Sequence, residues 1–264
     1  MVPQYAIAVN DIATGVASYR IWGRLGWREI QRRYRRTTIG PFWGATSLAI
    51  FTVILGLVWA QLWKQDPKIY MPYVTVGMIL WIWLNTSLTE AGGEFILNEA
   101  LIKQLRIPYT LLICTVVWRN SIVLGHNFLI YVLVCIYAGI IPTWTTLLLI
   151  PGAVLLCVNV LWIALSLALL SSRYRDIQWI VGSILQIAMF VTPILWDRER
   201  LSGPLNALID YNPLYHYIEV VRAPLMGRAP EPWTWIVLIS VAIAGWAMTL
   251  YLFSRFRRRI PYWL

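Results

Sequence analysis

Residues 20–36, RIWGRLGWREIQRRYRR, carry seven arginines and two tryptophans and lead into an apolar stretch that begins at Phe42 and Trp43. A basic segment with tryptophans that feeds into an apolar run is typical of a helix at the cytoplasmic surface of a membrane, where arginines meet anionic lipid phosphates. This junction predicts that the chain after residue 41 lies in a bilayer.

The composition supports a membrane protein. Of the 264 residues, 59% are hydrophobic and 13% are charged, whereas about 25% are charged in soluble domains. The formal net charge is +10, but the basic residues cluster beside apolar stretches and form no recognisable nucleic-acid-binding module. We therefore assign the charge to orientation in the membrane and predict no nucleic-acid partner.

The cysteines and the amino terminus carry no further signal. Cys114, Cys135 and Cys157 lie in apolar stretches without CxxC or Cys/His spacing, so we interpret them as packing or lipid-facing residues. Residues 1–20 have no long apolar core and include Asn10 and Asp11. They predict no cleavable signal peptide, and an amino terminus that stays in the cytoplasm.

Apolar stretches long enough to cross a membrane need about 20 residues. They predict an all-α membrane protein with six transmembrane helices. With the amino terminus inside, fifteen lysines and arginines fall on the cytoplasmic side and six outside, so both termini are predicted to be cytoplasmic. The predicted spans are 43–63, 71–90, 109–141, 144–171, 178–196 and 233–253, and the predicted domains are a basic interface region at 1–41, a membrane domain at 42–254 and a basic tail at 255–264.

The segment between the last two spans, residues 197–232, is too polar to cross the membrane. Pro204, Pro213 and Pro224 divide it into short amphipathic pieces. It is predicted to form short re-entrant or interface-lying helices, or alternatively an external cap that packs on the spans.

Enzyme signatures are missing from the sequence. No GxxxxGK[ST] phosphate-binding loop occurs, and none of the three lysines follows a glycine, so any ATP that drives the protein would bind a separate subunit. His126 and His216 belong to no HExxH-like cluster, and we predict no catalytic or metal-binding residue. The predicted spans contain almost no carboxylates, which disfavours a proton- or sodium-coupled carrier.

Aromatic residues are abundant, with sixteen tryptophans and fourteen tyrosines. Many of them fall where an interfacial belt would place them, as at Trp43, Trp59, Trp63, Trp144, Trp196, Trp233 and Trp235. Trp81, Trp83, Trp118 and Trp162 lie nearer the middle of apolar stretches. They are candidates to line a path on which sugar rings stack, and burial between spans is the alternative.

Two polar connections on the predicted cytoplasmic side have the character of docking elements. A charge-alternating segment, predicted to be helical, separates spans two and three, and a short polar turn separates spans four and five. Both could dock into a partner protein, although solvated loops would have similar sequences. The candidate coupling residues are Asn98, Glu99, Lys103 and Arg106 in the first connection and Arg173, Tyr174, Arg175 and Asp176 in the second.

Four separated stretches together resemble one family. They are residues 27–36 continuing through 39–43, residues 173–177, residues 193–196, and residues 212–214 with 219–222. In this order and spacing they resemble the membrane permease subunit of type-2 ABC exporters, in the branch that exports O-antigen, capsule, teichoic acid or related lipid-linked polysaccharides.

The resemblance implies a homodimer in the bacterial inner membrane that pairs with two ATP-binding subunits. ATP and Mg²⁺ would bind those subunits, and this chain would bind no cofactor. The substrate would be a polysaccharide linked to a lipid such as undecaprenyl pyrophosphate. The two polar connections would contact the ATPase, and segment 197–232 would form short outer gate helices.

The arginines of the basic segment have two interpretations. They could hold the substrate's phosphates by charge-assisted hydrogen bonds, or serve orientation and lipid headgroup binding alone. The candidates are Arg28, Arg32, Arg33, Arg35 and Arg36. Two other functions stay open: export of small lipophilic compounds by the same topology, and a membrane-embedded transferase that acts on lipid-linked sugars with Glu90, Glu94 and Glu99.

Overall fold

The computed structural model describes residues 4–37, 40, 42–198 and 209–264. Within these ranges the chain is helical and has no strand. The helices are α1 (Gln4–Ala17), α2 (Tyr19–Tyr34), α3 (Phe42–Leu62), α4 (Pro67–Leu97), α5 (Glu99–Gln104), α6 (Tyr109–Ala138), α7 (Leu149–Arg173), α8 (Ile177–Val191), α9 (Pro213–Leu225), α10 (Pro232–Phe256) and α11 (Ile260–Trp263), with 3-10 turns at Trp144–Leu148 and Arg257–Arg259.

Five segments are long and apolar enough to cross a membrane, and they contain α3, α4, α6, α7 and α10. Helix α8 is also apolar but has only 15 residues. At 1.5 Å per residue it is about 22 Å long, less than the hydrocarbon thickness of about 30 Å. The protein is therefore an all-helical membrane protein with five candidate spans, and the sixth crossing stays a prediction.

Helix α8 ends earlier than its apolar sequence suggests. The predicted span ran to residue 196, but the helix stops at Val191. Pro193 explains the difference, because the residue before a proline avoids the helical region, and Thr192 is extended with ψ near 135°. Residues 192–196 form an unwound segment in which Thr192 and Ile194 are fully buried.

Helix α4 is the centre of the bundle. It packs against α3, α6, α7 and α8, and nearly every residue from Tyr70 to Leu84 is buried. The surrounding helices keep one apolar face exposed, as at Ile136 of α6 and Phe190 of α8. Exposed apolar faces around a buried core are what a helix bundle in lipid requires, because lipid tails are as apolar as the side chains.

The ends of the helices are set by local sequence. Asp66 caps α4 by accepting a 2.9 Å hydrogen bond from the backbone N–H of Lys68, with Pro67 at the first helical position. Asn212 caps α9 in the same way.

The two ends of the bundle are named after the predicted topology. The inner end consists of residues 97–109, 173–177 and 257–264. The outer end consists of residues 62–67, 139–149, 192–198 and 209–232.

Helices α1 and α2 pack along the side of the bundle near the inner end. Helix α1 contacts α6 and α10, and α2 contacts α6. The approach of α2 depends on Gly26, where a Cβ atom would lie 2.8 Å from the indole of Trp118. The basic segment is therefore docked on the protein, and its place at a membrane surface stays a prediction.

Helix α9 occupies the outer segment predicted at 197–232. It packs between α4, α7, α10 and the 3-10 turn, and its residues from Tyr215 to Leu225 are all buried. The prediction of further outer structure around Arg200, Pro204, Leu205 and Leu208 falls outside the described residues. Ile39 and Pro41, in the first of the four family stretches, also lie outside the described residues.

Candidate functional site

The arginines of α2 form an exposed stripe. Arg20, Arg24, Arg28 and Arg32 recur every four residues, which places them on one helix face. The opposite face buries Gly26 and Ile30 against the bundle. Among the described residues, Arg28, Arg32, Arg35 and Arg36 have no carboxylate partner, and all four are exposed. Four of the five predicted phosphate-binding arginines are therefore both exposed and unpaired with any described carboxylate.

Arg33 differs from these four because it is tied to the bundle. Its guanidinium lies 2.8 Å from Glu90 of α4. Glu90 also accepts hydrogen bonds from Arg119 at 2.8 Å and Asn120 at 2.9 Å, both on α6, and Arg119 pairs in addition with Glu29 of α2. We call Glu29, Arg33, Glu90, Arg119 and Asn120 the inner charge network.

The inner charge network explains how a charged residue of α6 is accommodated. The side chain of Arg119 is only 10% exposed, and carboxylates on two different helices compensate its charge. A buried guanidinium without such partners would be strongly unfavourable. The sequence offered part of this signal, because Glu29 and Arg33 are one helical turn apart, but it did not identify their partners.

A second tie joins both terminal regions to the inner end. Asp11 of α1 accepts hydrogen bonds from the backbone N–H groups of Tyr109 and Thr110, each at 3.1 Å, and from the Thr110 hydroxyl at 2.9 Å. It therefore caps α6 from a distant helix. Arg257 donates to the same carboxylate at 2.7 Å. This role of Asp11 could not be predicted from the sequence, since its partners are about 100 and 250 residues away.

The candidate coupling residues all lie at the inner end. On α5, Glu99 and Lys103 form an exposed ion pair at 2.6 Å, and Arg106 is exposed just beyond it. Asn98 is engaged instead, because its amide donates to the Glu94 carboxylate at 2.8 Å.

The second connection lies beside the first. Arg173, Tyr174, Arg175 and Asp176 are exposed at and after the end of α7, and Arg173 lies over the Trp263 ring of α11. Helix α11 contacts both α5 and α7, so it joins the two connections. A cavity of about 710 Å³ opens near them, lined by Asp11 and Thr14 of α1, Lys103 and Arg106 of the α5 region, and Arg257.

The four candidate path tryptophans lie at separate helix contacts. Trp81 and Trp83 are 2% and 3% exposed, and the indole N–H of Trp83 donates to Ser121 at 3.3 Å. Trp162 donates to Asn159 at 3.1 Å and packs where Gly245 lets α10 approach. Trp118 is 40% exposed and lies edge-on to Trp22 of α2. Within one chain these residues form no common surface.

A third polar cluster lies at the outer end. Arg222 of α9 is fully buried and donates to Glu219 at 2.9 Å and to the Pro193 carbonyl at 2.9 Å. Its guanidinium stands 3.8 Å from the centre of the Tyr73 ring. Burial disfavours the charged guanidinium, but its contacts, among them the Glu219 carboxylate, outweigh this and hold the pKa of Arg222 above its usual value.

This cluster secures the unwound segment 192–196. The Tyr73 hydroxyl lies 3.1 Å from the carbonyls of both Pro193 and Trp196, and Tyr70 donates to the Leu195 carbonyl. Non-helical backbone at membrane depth is tolerated only where protein groups satisfy it. Tyr70, Tyr73 and Arg222 supply those groups here.

The fold and these clusters define a class: a helical membrane protein with exposed charged connections at one end and no GxxxxGK[ST] motif in its sequence. The model of the ABC-2 type transporter family matches residues 22–226, and the chain belongs to that family. Membership implies that the chain associates with an ATP-binding ABC subunit. It also implies that the chain is a multi-pass protein of the inner membrane.

Three relatives are named as O-antigen export system permease protein RfbA. The one from Myxococcus xanthus is 25% identical over 234 residues, which cover 85% of this chain and 88% of that protein. Two from Klebsiella pneumoniae are 24% and 23% identical, and each alignment covers 71% of this chain and 73% of the relative. The resemblance drawn from the four stretches is confirmed at the level of the family.

Proposed function

We propose that this chain is the permease subunit of an ATP-driven exporter that moves a lipid-linked polysaccharide of the O-antigen type across the bacterial cytoplasmic membrane. The observation that carries the proposal is the similarity to a relative named as an O-antigen export permease over 85% of this chain. The substrate is a glycan on a lipid carrier of the undecaprenyl pyrophosphate type.

The proposed assembly contains two copies of this chain and two ATP-binding subunits. ATP and Mg²⁺ bind the partner subunits, and this chain binds no cofactor. Six crossings place both termini in the cytoplasm, with an interface region at 1–41, a membrane domain at 42–254 and a tail at 255–264. Five long helices and α8 supply the crossings.

Substrate recruitment falls to the exposed face of α2. Arg28 and Arg32 are exposed on that face, and Arg35 and Arg36 are exposed just after the helix ends. Guanidinium groups bind phosphates through paired hydrogen bonds. The same arginines also orient the protein in the membrane and bind lipid headgroups, since these roles and phosphate binding all need an exposed cation. Arg33 instead fixes α2 to α4 through Glu90, so it positions the stripe.

Force from the ATPase would enter at the inner end. Helix α5 and the turn at 173–176 present exposed charged residues there, and α11 contacts both α5 and α7. Asp11 links α1 to the start of α6 and to Arg257. A displacement of this end by a closing ATPase dimer would therefore move α1, α6 and the carboxyl-terminal region together.

The proposal is tested by co-purifying the full chain with an ATP-binding ABC subunit from the same organism and adding lipid-linked glycan from that organism. We expect a stable complex in which the glycan stimulates ATP hydrolysis. Stimulation by small lipophilic compounds but not by glycan would support the small-molecule exporter. Conversion of the lipid-linked sugar without any ATPase partner would support the transferase.

The carboxylates needed for a transferase are already engaged. Glu90 binds Arg33 and Arg119, Glu94 accepts from Asn98, and Glu99 pairs with Lys103. Glu90 and Glu94 therefore have structural partners, which favours transport over group transfer.

A further inference from the structure

A polar cavity of about 410 Å³ lies at the outer end beside α9. Its size falls within the range of ordinary ligand sites, about 300 to 1,000 Å³. It borders a smaller cavity of about 220 Å³, and the two share Tyr73, Asp197 and Arg228. Together they form one elongated concavity, which we call the outer cavity.

The charges that line the outer cavity balance. Among the described residues, three arginines and three carboxylates line it: Arg198, Arg222, Arg228, Asp197, Glu219 and Glu231. A phosphate would meet as many carboxylates as guanidinium groups and gain little from the site. A neutral ligand with many hydroxyl groups can instead donate to the carboxylates and accept from the arginines.

Some of these groups are fixed and others are loosely held. Arg222 is fully buried and hydrogen-bonded to Glu219, so the wall of the cavity is rigid. Arg228 lies 3.8 Å from Glu219, beyond hydrogen-bond distance. Glu231 lies 3.9 Å from Arg198, which pairs more closely with Asp210. The side chains of Arg228 and Glu231 are 56% and 66% exposed, so their polar atoms remain available to a ligand.

We propose that the outer cavity is a saccharide-binding subsite that receives sugar units of the exported glycan as they leave the membrane domain. The inference rests on the proposed function and deepens it by naming a glycan contact within a single chain. Arg228 and Glu231 at the rim hydrogen-bond the sugar hydroxyls. Tyr73 and Tyr215 line the same wall, where their rings hold Arg222 and Arg198 in place.

The test uses the full chain purified in detergent and titrated calorimetrically with glycan released from its lipid by mild acid. The free glycan should bind the wild-type protein. Arg228→Gln and Glu231→Gln should each weaken binding about tenfold, because each removes a hydrogen bond to a charged group. Sodium pyrophosphate at equal concentration should not compete.

Lys68→Gln is the matched control, because Lys68 is also an exposed cation at the outer end but does not line the cavity. It should leave the affinity unchanged, and all variants should keep the thermal unfolding temperature of the wild type, since the rim residues are exposed. The proposal is overturned if free glycan does not bind, if the rim variants bind as the wild type does, or if pyrophosphate competes.

A separate measurement distinguishes failure of the subsite from failure of the proposed function. Lipid-linked glycan is added to the complex with the ATP-binding subunit, and ATP hydrolysis is recorded. If lipid-linked glycan stimulates ATP hydrolysis but free glycan does not bind, the saccharide subsite is refuted and the exporter function stands. If the glycan neither stimulates ATP hydrolysis nor binds in its free form, both the subsite and the exporter function are refuted.

Discussion

Arg32 and Arg33 are neighbours on α2 but have different surroundings, although nothing in the sequence distinguishes them. Arg32 lies on the exposed stripe without a carboxylate partner among the described residues, whereas Arg33 pairs with Glu90. We expect Arg32→Gln to lower glycan export about fivefold with normal protein abundance, because one arginine near anionic phosphates contributes about 1 kcal/mol. Export in cells and immunoblotting of membranes measure both quantities.

Arg33→Gln should mainly lower stability. The loss should be about 0.5 to 1 kcal/mol, because the pair is partly exposed and Glu90 keeps Arg119 and Asn120. Thermal unfolding in detergent measures it, and Arg33→Lys, which retains the charge, is the control. If Arg32→Gln and Arg33→Gln reduce export equally without any change in stability, the distinction between the two arginines is wrong.

Asp11 is the residue whose importance the sequence concealed. Asp11→Ala removes the cap of α6 and the carboxylate paired with Arg257, and we expect it to lower the free energy of unfolding by about 2 to 4 kcal/mol. Asn10→Ala, at an exposed neighbouring position, should change it by less than about 0.5 kcal/mol. Chemical unfolding followed by circular dichroism compares them, and equal effects would contradict the assigned role.

At the scale of elements, the docking of α2 depends on one of its two glycines. A Cβ atom at Gly26 would lie 2.8 Å from the Trp118 indole and 3.3 Å from the Thr115 carbonyl, whereas nothing lies within 4 Å of one at Gly23. Gly26→Ala should therefore loosen α2 and increase its proteolysis. Gly23→Ala should stabilise the helix by up to about 1 kcal/mol. Limited trypsin digestion after the arginines measures the accessibility of α2, and faster cleavage of Gly23→Ala would contradict this account.

The apolar runs predicted the long helices because burial in lipid needs continuous apolar sequence. The match is close at α3 and α10, which the structure places at Phe42–Leu62 and Pro232–Phe256. Helix α1 was not predicted because its stability comes from Asp11 and from contacts with α6 and α10. Contacts between residues that are distant in sequence cannot be read from a local pattern. The partners of segment 192–196 were therefore not predicted, since Tyr73 and Pro193 are 120 residues apart.

At the scale of the whole molecule, the distribution of positive charge cannot decide whether α8 crosses the membrane. If it does not cross, the outer segment and the carboxyl-terminal tail exchange sides. Each carries four arginines: Arg198, Arg200, Arg222 and Arg228 in the segment, and Arg255, Arg257, Arg258 and Arg259 in the tail. The excess on the cytoplasmic side is the same in both topologies, so the positive-inside rule does not separate them.

We expect α8 and the unwound segment to cross together. Helix α8 spans about 22 Å, and the five residues of the unwound segment add up to about 16 Å if extended, which together exceed the hydrocarbon thickness of about 30 Å. Tyr70, Tyr73 and Arg222 satisfy the carbonyls of that segment. A non-helical stretch can therefore complete the span that the helix begins.

The topology is tested with single cysteines in a chain whose three native cysteines are replaced by alanine. Lys64→Cys and Glu99→Cys report the outer and inner ends in either topology. Helix α3 is the candidate span before Lys64, and α4 is the candidate span between Lys64 and Glu99. Tyr211→Cys and Tyr262→Cys, 75% and 87% exposed in the native chain, lie on either side of α10. If α8 crosses, a membrane-impermeant maleimide should label positions 64 and 211 on intact cells, and positions 99 and 262 only after permeabilisation. Labelling of 262 but not 211 on intact cells would mean that α8 turns back inside the membrane, and the outer cavity would then face the cytoplasm.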